Sequence, residues 1–126
     1  MTKRVLDVGN CGPDHSAIRA LLTRNFDCEV VQAHGADDAL RKLKGRPFDL
    51  VLVNRKLDQD YSDGIEVIRA IKRDKALVDV PVMLITNYAE HQDAAEAEGA
   101  LRGFGKLEFH APETKQKLTA VLGEVK

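Results

Sequence analysis

Polar side chains stand directly after four apolar runs of this 126-residue chain. Because ligands of an open parallel sheet gather at the carboxyl ends of its strands, these side chains are the candidates for a functional site. The set holds two amides, a hydroxyl and an ammonium group but no carboxylate, so it suits the binding of an anion better than the binding of a metal. Its members are Gly9 and Asn10 after residues 5–8, Asn54 after residues 50–53, Thr86 after residues 82–85, and Lys106 after a short run at Phe104.

Two more cations adjoin this set, since Arg55 and Lys56 directly follow Asn54. Together with Lys106 and the backbone N–H groups at the start of the first helix, they predict a site for an anion. The alternative is that Lys106 only hydrogen-bonds Asn54 or a backbone carbonyl while the arginine points to solvent. The sequence leaves both interpretations open.

One carboxylate falls inside a predicted strand. Asp7 lies on the same face as Gly9 by two-residue alternation, at a position where an aliphatic side chain is normally buried. A buried carboxylate needs a partner, and we expect Lys106 to reach past Gly9 and supply it. We interpret this pair as structural rather than functional.

Short apolar runs alternate with segments of helical period, a pattern typical of βαβ units around a parallel sheet. Five such units can be counted without a repeat or a linker between them, so residues 1–126 are expected to form a single domain. The uninterrupted runs 50–53 and 82–85 indicate central strands that are covered on both faces. The predicted strands are 5–8, 29–33, 50–53, 82–85 and one at Phe104, and the predicted helices begin near Pro13, Gly35, Gly64, Glu90 and Pro112.

The predicted helices differ in the apolar surface that they can bury. The fourth, residues 90–98, is rich in alanine and acidic residues, so it should be the least firmly held. The first and the last have clear inner faces, formed by Ala17, Ile18, Leu21 and Leu22 and by Leu118, Val121, Leu122 and Val125.

The composition argues against several functions. Nineteen basic and twenty acidic side chains give a net charge of -1, so no electrostatic footprint for nucleic acid or membrane is present. No apolar stretch approaches the ~18 residues of a membrane span, and a cytoplasmic location is expected. Cys11 and Cys28 are interpreted as reduced thiols. The histidines lack ligand spacing, and the acidic loop 58–63 lacks the glycine and glutamate of a calcium loop, so no metal or other cofactor is expected.

The order and spacing of several motifs resemble the receiver domains of two-component response regulators. These motifs are residues 4–8 (RVLDV), 49–54 (DLVLVN), 63–67 (DGIEV) and 81–86 (PVMLIT), with Gly99-Ala100 followed by Lys106. The resemblance spans almost the whole chain and implies a flavodoxin-like α/β fold, in which five helices cover a doubly wound, five-stranded parallel sheet.

The resemblance also implies where a phosphoryl-transfer site would lie. In the family, an acidic pair and an aspartate hold magnesium, and that aspartate accepts the phosphoryl group. Here the acidic pair corresponds to Gly9 and Asn10 and the phosphoacceptor to Asn54, whereas Thr86 and Lys106 match the family's hydroxyl and lysine. Neutral amides are poor magnesium ligands, and the Asn54 amide is a poor nucleophile. The site is therefore expected to be degenerate and the chain not to be an enzyme.

An atypical receiver of this kind, or pseudo-receiver, is expected to act in signal transduction by protein–protein interaction. The resemblance implies a partner on the face formed by the fourth helix, the fifth strand and the fifth helix, and it is compatible with a homodimer. Gly103 takes the family's switch-aromatic position, with Phe104 one residue later, and Leu107 replaces the usual proline after the lysine. The aromatic switch is thus expected to be altered.

Two alternatives belong to other functional classes. The first is an active phosphotransfer receiver that uses a displaced carboxylate such as Asp58. The second is a flavodoxin-like domain that binds a small ligand or anion with residues 9–12 as a phosphate loop. The glycines of that loop match neither the dinucleotide fingerprint nor the lysine-bearing P-loop, so they give the second alternative little support.

Overall fold

The computed structural model describes residues 2–126 and places five parallel strands in one sheet, in the order β2-β1-β3-β4-β5. The strands are β1 (Lys3–Val8), β2 (Cys28–Ala33), β3 (Leu50–Asn54), β4 (Val82–Ile85) and β5 (Leu101–Phe104). The helices are α1 (Gly12–Asn25), α2 (Ala36–Gly45), α3 (Gly64–Arg73), α4 (Ala89–Ala97) and α5 (Pro112–Leu122), with a short 3₁₀ turn at Lys106–Glu108. This flavodoxin-like, doubly wound order confirms the predicted fold class, and the strand order reverses between β1 and β3.

Both faces of the sheet are covered by helices. One apolar cluster joins α1 and α5 to strand residues such as Val5, Leu52 and Phe104. The other joins α2, α3 and α4 to strand residues such as Leu6 and Val53. The apolar residues of β3 and β4 are all buried, which confirms the central position that their uninterrupted runs predicted.

Two predicted inner-face residues and one predicted strand boundary were wrong. Ala17 is exposed because the buried stripe of α1 runs through Ile18, Leu21 and Leu22, and Ala17 lies at its edge. Val125 leaves the inner face of α5 because Gly123, with φ +88°, ends the helix after Leu122. The strand predicted at residues 5–8 begins two residues earlier, at Lys3.

The apolar burial of α4 is as small as its composition predicted, since its buried residues are Gln92 and Ala95. A buried glutamine is unusual, and this one hydrogen-bonds backbone groups of two strands. None of the helices described is long and apolar enough to cross a membrane.

Candidate functional site

The carboxyl edge of the sheet brings the predicted site residues together. Asn54 ends β3, and its Nδ2 donates to the carbonyl oxygen of Lys56 at 2.7 Å and more weakly to that of Gly9 at 3.3 Å. The expected hydrogen bond from Lys106 to Asn54 is not formed. Lys106 Nζ instead donates to Asp14 Oδ2 at 2.7 Å, across the start of α1. Asn54 therefore stabilises the turn after its own strand.

Gly9 occupies a position that only glycine can fill without strain. Its φ is +80°, and a Cβ atom would lie 2.3 Å from Leu57 Cδ2 and 3.1 Å from Leu57 Cα. Its carbonyl oxygen accepts the backbone N–H of Asp58 at 3.0 Å. The β3–α3 loop thus packs directly onto Gly9, and an acidic side chain there would displace the loop.

Asp7 is fully buried, but its expected pairing with Lys106 is wrong. Its Oδ2 contacts His15 Nδ1 at 2.7 Å, and its Oδ1 accepts Asn10 Nδ2 at 2.6 Å. His15 lies one turn into α1 on the side that packs over β1, closer than Lys106, whose ammonium group is held by Asp14. The carboxylate in the strand signalled the need for a partner, and a histidine eight residues later was the signal that the sequence interpretation missed.

The electrostatics of these two pairs differ because one is buried and the other is half-exposed. Burial raises the pKa of Asp7, although the hydrogen bonds from His15 and Asn10 oppose the shift. The hydrogen bond from Lys106 lowers the pKa of Asp14. Asn10 is also fully buried, and its Oδ1 has no partner within the described chain. Asn10 therefore donates its amide N–H to Asp7, while its carbonyl oxygen accepts no hydrogen bond from the described chain.

Thr86, which matches the family's hydroxyl, is engaged by the start of α4. Its Oγ1 accepts the backbone N–H of Tyr88 at 3.3 Å and lies 3.4 Å from His91 Nδ1. The residue is buried. Both retained family positions, Thr86 and Lys106, thus already have partners inside the protein.

A shallow cavity of about 290 Å³, which we term the basic hollow, opens at the carboxyl ends of β3, β4 and β5. Three cations line it and no carboxylate does, which brings together the predicted anion-binding side chains Arg55, Lys56 and Lys106. The first turn of α1, predicted to contribute N–H groups, does not line it. The lining residues are Asn54, Arg55, Lys56, Ile85, Thr86, Asn87, Tyr88 and Lys106. Anion binding itself stays a prediction.

A β-bulge explains the shifted aromatic residue of β5. Met83 pairs with Leu101 and Ile85 pairs with Phe104, so β5 carries one extra residue against β4. Phe104 is consequently buried, with its ring 6.0 Å from that of Phe109 in an edge-to-face arrangement.

Gln92 of α4 holds the bulge in place. Its Nε2 donates to Leu84 O at 3.0 Å and to Thr86 O at 3.3 Å, while its Oε1 accepts the backbone N–H of Gly103 at 2.8 Å. A Cβ atom at Gly103 would lie 2.2 Å from Leu84 O, so the close approach requires glycine. One side chain therefore links α4, β4 and β5.

The remaining candidate residues do not line the basic hollow. Asp58, proposed as a displaced phosphoacceptor, has its Oδ1 buried without a partner in the part of the chain that is described. Asp60 accepts both the N–H and the hydroxyl of Ser62 within the loop. No group of three or more histidine, cysteine, aspartate or glutamate side chains within residues 2–126 is arranged to hold a metal ion.

Comparison with known proteins identifies the family. Residues 13–103 match the model of the response regulator receiver domain. The transcriptional regulatory protein ZraR of Klebsiella oxytoca is 34% identical over 89 residues, which cover 69% of this chain and 19% of that protein. The chain therefore spans about a fifth of the length of this relative.

Solved structures show the same fold. A protein from Chloroflexus aurantiacus described as a response regulator superposes with a TM-score of 0.85 at 17% identity, covering 98% of this chain and 100% of that one. The receiver domain of the sensor histidine kinase PA1611 from Pseudomonas aeruginosa, solved with magnesium in its active-site cleft, gives 0.80 at 21% identity, with coverage of 98% and 100%. The chain belongs to the response regulator receiver domain family.

Proposed function

We propose that this receiver domain works without being phosphorylated, as a binding module for a protein partner and not as an enzyme. The observation that carries the proposal is the structural use of the three positions where the family has carboxylates. Gly9 accommodates Leu57, Asn10 holds the buried Asp7, and Asn54 stabilises the turn at Lys56. Each of these residues has a structural role that a carboxylate would not fill equally well.

The residues present do not fit the family's magnesium ion. Magnesium seeks anionic oxygens in octahedral array, and these positions offer a glycine without room for a side chain and two neutral amides. Two neighbouring carboxylates are already engaged, since Asp7 pairs with His15 and Asp14 pairs with Lys106. We therefore assign no step to a metal ion here.

The two positions of the family's conformational switch are also occupied differently in this chain. Thr86 is bound to the start of α4, and Phe104 is buried behind the bulge instead of lying at the surface. Gln92 ties α4 to both neighbouring strands. Under this proposal these contacts hold the domain in one arrangement, so that a phosphoryl group would have no second state to favour.

The proposed partner face is formed by α4, β5 and α5. Leu101 on β5 is 46% exposed, and Arg102 beside it is held by Asp93 and Glu96 of α4 at 2.8 and 2.7 Å. An exposed apolar side chain beside ordered charged groups is compatible with the apolar core and polar rim of a protein interface. The acid-rich outer surface of α4 would favour a partner with basic side chains.

The test of phosphorylation independence is incubation with acetyl phosphate and magnesium, followed by intact mass measurement. We expect no phosphoryl adduct under conditions in which a receiver with all its carboxylates is labelled in the same tube. An adduct on this chain would overturn the proposal. Fragmentation would then show whether Asp58 is the acceptor, as the displaced-carboxylate alternative requires.

The partner face is tested separately by affinity purification from the native lysate. Leu101→Asp places a charge in the centre of the face, and Val78→Asp is the matched control because Val78 is 43% exposed in the α3–β4 connection. We expect a captured partner to be lost with the first variant and retained with the second. Equal retention by both would count against this face.

A further inference from the structure

The basic hollow adjoins the proposed partner face at the start of α4, and it has its own unused charges. Arg55 and Lys56 make no side-chain hydrogen bond or ion pair with any residue of the described chain, 2–126. By contrast, Lys106 at the other side of the hollow is paired with Asp14. The hollow thus has two cations without a counter-charge, in a chain whose net charge is -1.

The guanidinium of Arg55 is the more informative of these two groups. Its Nε is buried and has no hydrogen-bond partner, although the side chain lines an open cavity. The terminal nitrogens of the same guanidinium have no partner in the described chain either and are not buried, so a carboxylate in the hollow could bind them and neutralise the charge. Lys56 is exposed and lies next to Arg55 in sequence, so it adds a second donor at the entrance.

Apolar side chains lie beside the same hollow. Tyr88, which lines it, is 61% exposed, and Leu107, directly after Lys106, is 86% exposed. The backbone of Leu107 is anchored beside the hollow, because its N–H donates to Asn87 Oδ1 at 3.2 Å. Large apolar side chains held in the open near a charged cavity are typical of a surface that contacts another protein.

We propose that the basic hollow docks an acidic segment of a protein partner. A carboxylate of that segment binds Arg55 and Lys56, and an adjacent apolar side chain packs on Tyr88 and Leu107. A free phosphate or acetate ion would gain nothing from these apolar contacts, which is why the charge and the rim together favour a peptide. This inference does not depend on the face formed by α4, β5 and α5.

The test begins with a library of random twelve-residue peptides displayed on phage and selected on the whole wild-type chain. Enriched sequences are made as fluorescent peptides, and their affinities are measured by fluorescence polarisation. Lys56→Glu and Leu107→Ser are the test variants, because both side chains are exposed and neither contributes to the core. Lys75→Glu is the matched control, since it makes the same charge change at an exposed site before β4, at the opposite edge of the sheet.

We expect the enriched peptides to combine carboxylates with a large apolar side chain. Their affinity should fall roughly tenfold or more with Lys56→Glu and several-fold with Leu107→Ser, and by less than about twofold with Lys75→Glu. Binding should also weaken as salt is raised, because Lys56 is exposed.

Three results would overturn the proposal. The first is that no peptide is enriched, and the second is that the enriched peptides lack acidic residues or bind Lys56→Glu as well as wild type. The third is that inorganic phosphate or acetate at millimolar concentration displaces the peptides completely, which would identify the hollow as a site for a small anion.

Discussion

The buried pair of Asp7 and His15 allows a quantitative prediction about stability. Asp7 has two hydrogen-bond partners, His15 and Asn10, and His15→Ala removes one of them. Removing a hydrogen-bond partner from a buried group typically costs about 1–3 kcal/mol, and more where the remaining group is charged. The His15 side chain is 17% exposed, so water can enter the space that it leaves, and we expect about 3 kcal/mol at pH 7.

The cost should depend on the carboxylate and not on the lost volume of the imidazole. Replacing both residues, as in Asp7→Leu with His15→Ala, removes the buried charge together with its partner. The double variant should therefore be about 2 kcal/mol more stable than His15→Ala alone. Asp7→Leu by itself should cost about 1 kcal/mol, because the aliphatic side chain suits this strand position but the buried Asn10 amide loses its acceptor.

The pH dependence has a defined sign. Burial raises the pKa of Asp7 above the value of 3.8 for an unburied aspartate, so the folded protein holds the proton more tightly than the unfolded chain does. The stability linked to this proton is complete below pH 3.8 and is lost as pH rises through the raised pKa, by at most about 1.4 kcal/mol per pH unit. Asp7→Leu should consequently remove this part of the pH dependence, because no buried carboxyl group remains to take up the proton.

The assay is urea unfolding followed by far-UV circular dichroism at several pH values, since the chain has no tryptophan. Other acids, such as Asp14, have a lowered pKa in the folded protein, so the stability that they contribute is lost as pH falls. They are present in every variant, and their effect therefore cancels when variants are compared. The reasoning would be refuted if the double variant were no more stable than His15→Ala, or if Asp7→Leu left the pH dependence of stability unchanged.

Three further changes test other parts of the structure. Gly9→Ala should lower the free energy of unfolding by about 2 kcal/mol or more, because residue 9 has φ +80° and the new Cβ would lie 2.3 Å from the Leu57 side chain. Gly12→Ala is the control, since a Cβ there has nothing within 4 Å, and it should change the free energy of unfolding by urea by less than ~0.5 kcal/mol. Gln92→Leu should cost about 2–3 kcal/mol, because the Gly103 N–H and the Thr86 carbonyl lose their partner and the Leu84 carbonyl loses its second hydrogen bond. The exposed Glu90→Ala in the same helix should cost less than ~0.5 kcal/mol. Asn54→Asp should not restore labelling by acetyl phosphate in mass measurements, because the other two lost carboxylates remain absent.

The sheet was predictable from the sequence because burial on both faces imposes apolar runs, and β3 and β4 followed theirs closely. The partner of Asp7 was not predictable in this way. Which cation reaches a buried carboxylate depends on how α1 packs over β1 and on which acids compete for Lys106, and both are tertiary properties. The bulge in β5 was visible only as a one-residue offset at Phe104, since the hydrogen bonds of Gln92 that define it come from a different element.

The contacts at the carboxyl edge suggest how such a domain could transmit a signal. The start of α1 is joined to β1 by the Asp7–His15 pair and to the β5–α5 connection by the Asp14–Lys106 pair, so protein groups make the links that a bound metal could otherwise make. The α4 end is joined to β4 and β5 through Gln92. A ligand shifts a conformational equilibrium only by its differential affinity for two states, and these internal bonds favour one state. Under the proposed function, the output of the domain would then follow the concentration and affinity of its partner, and substitutions in these internal bonds would change stability before they changed partner binding.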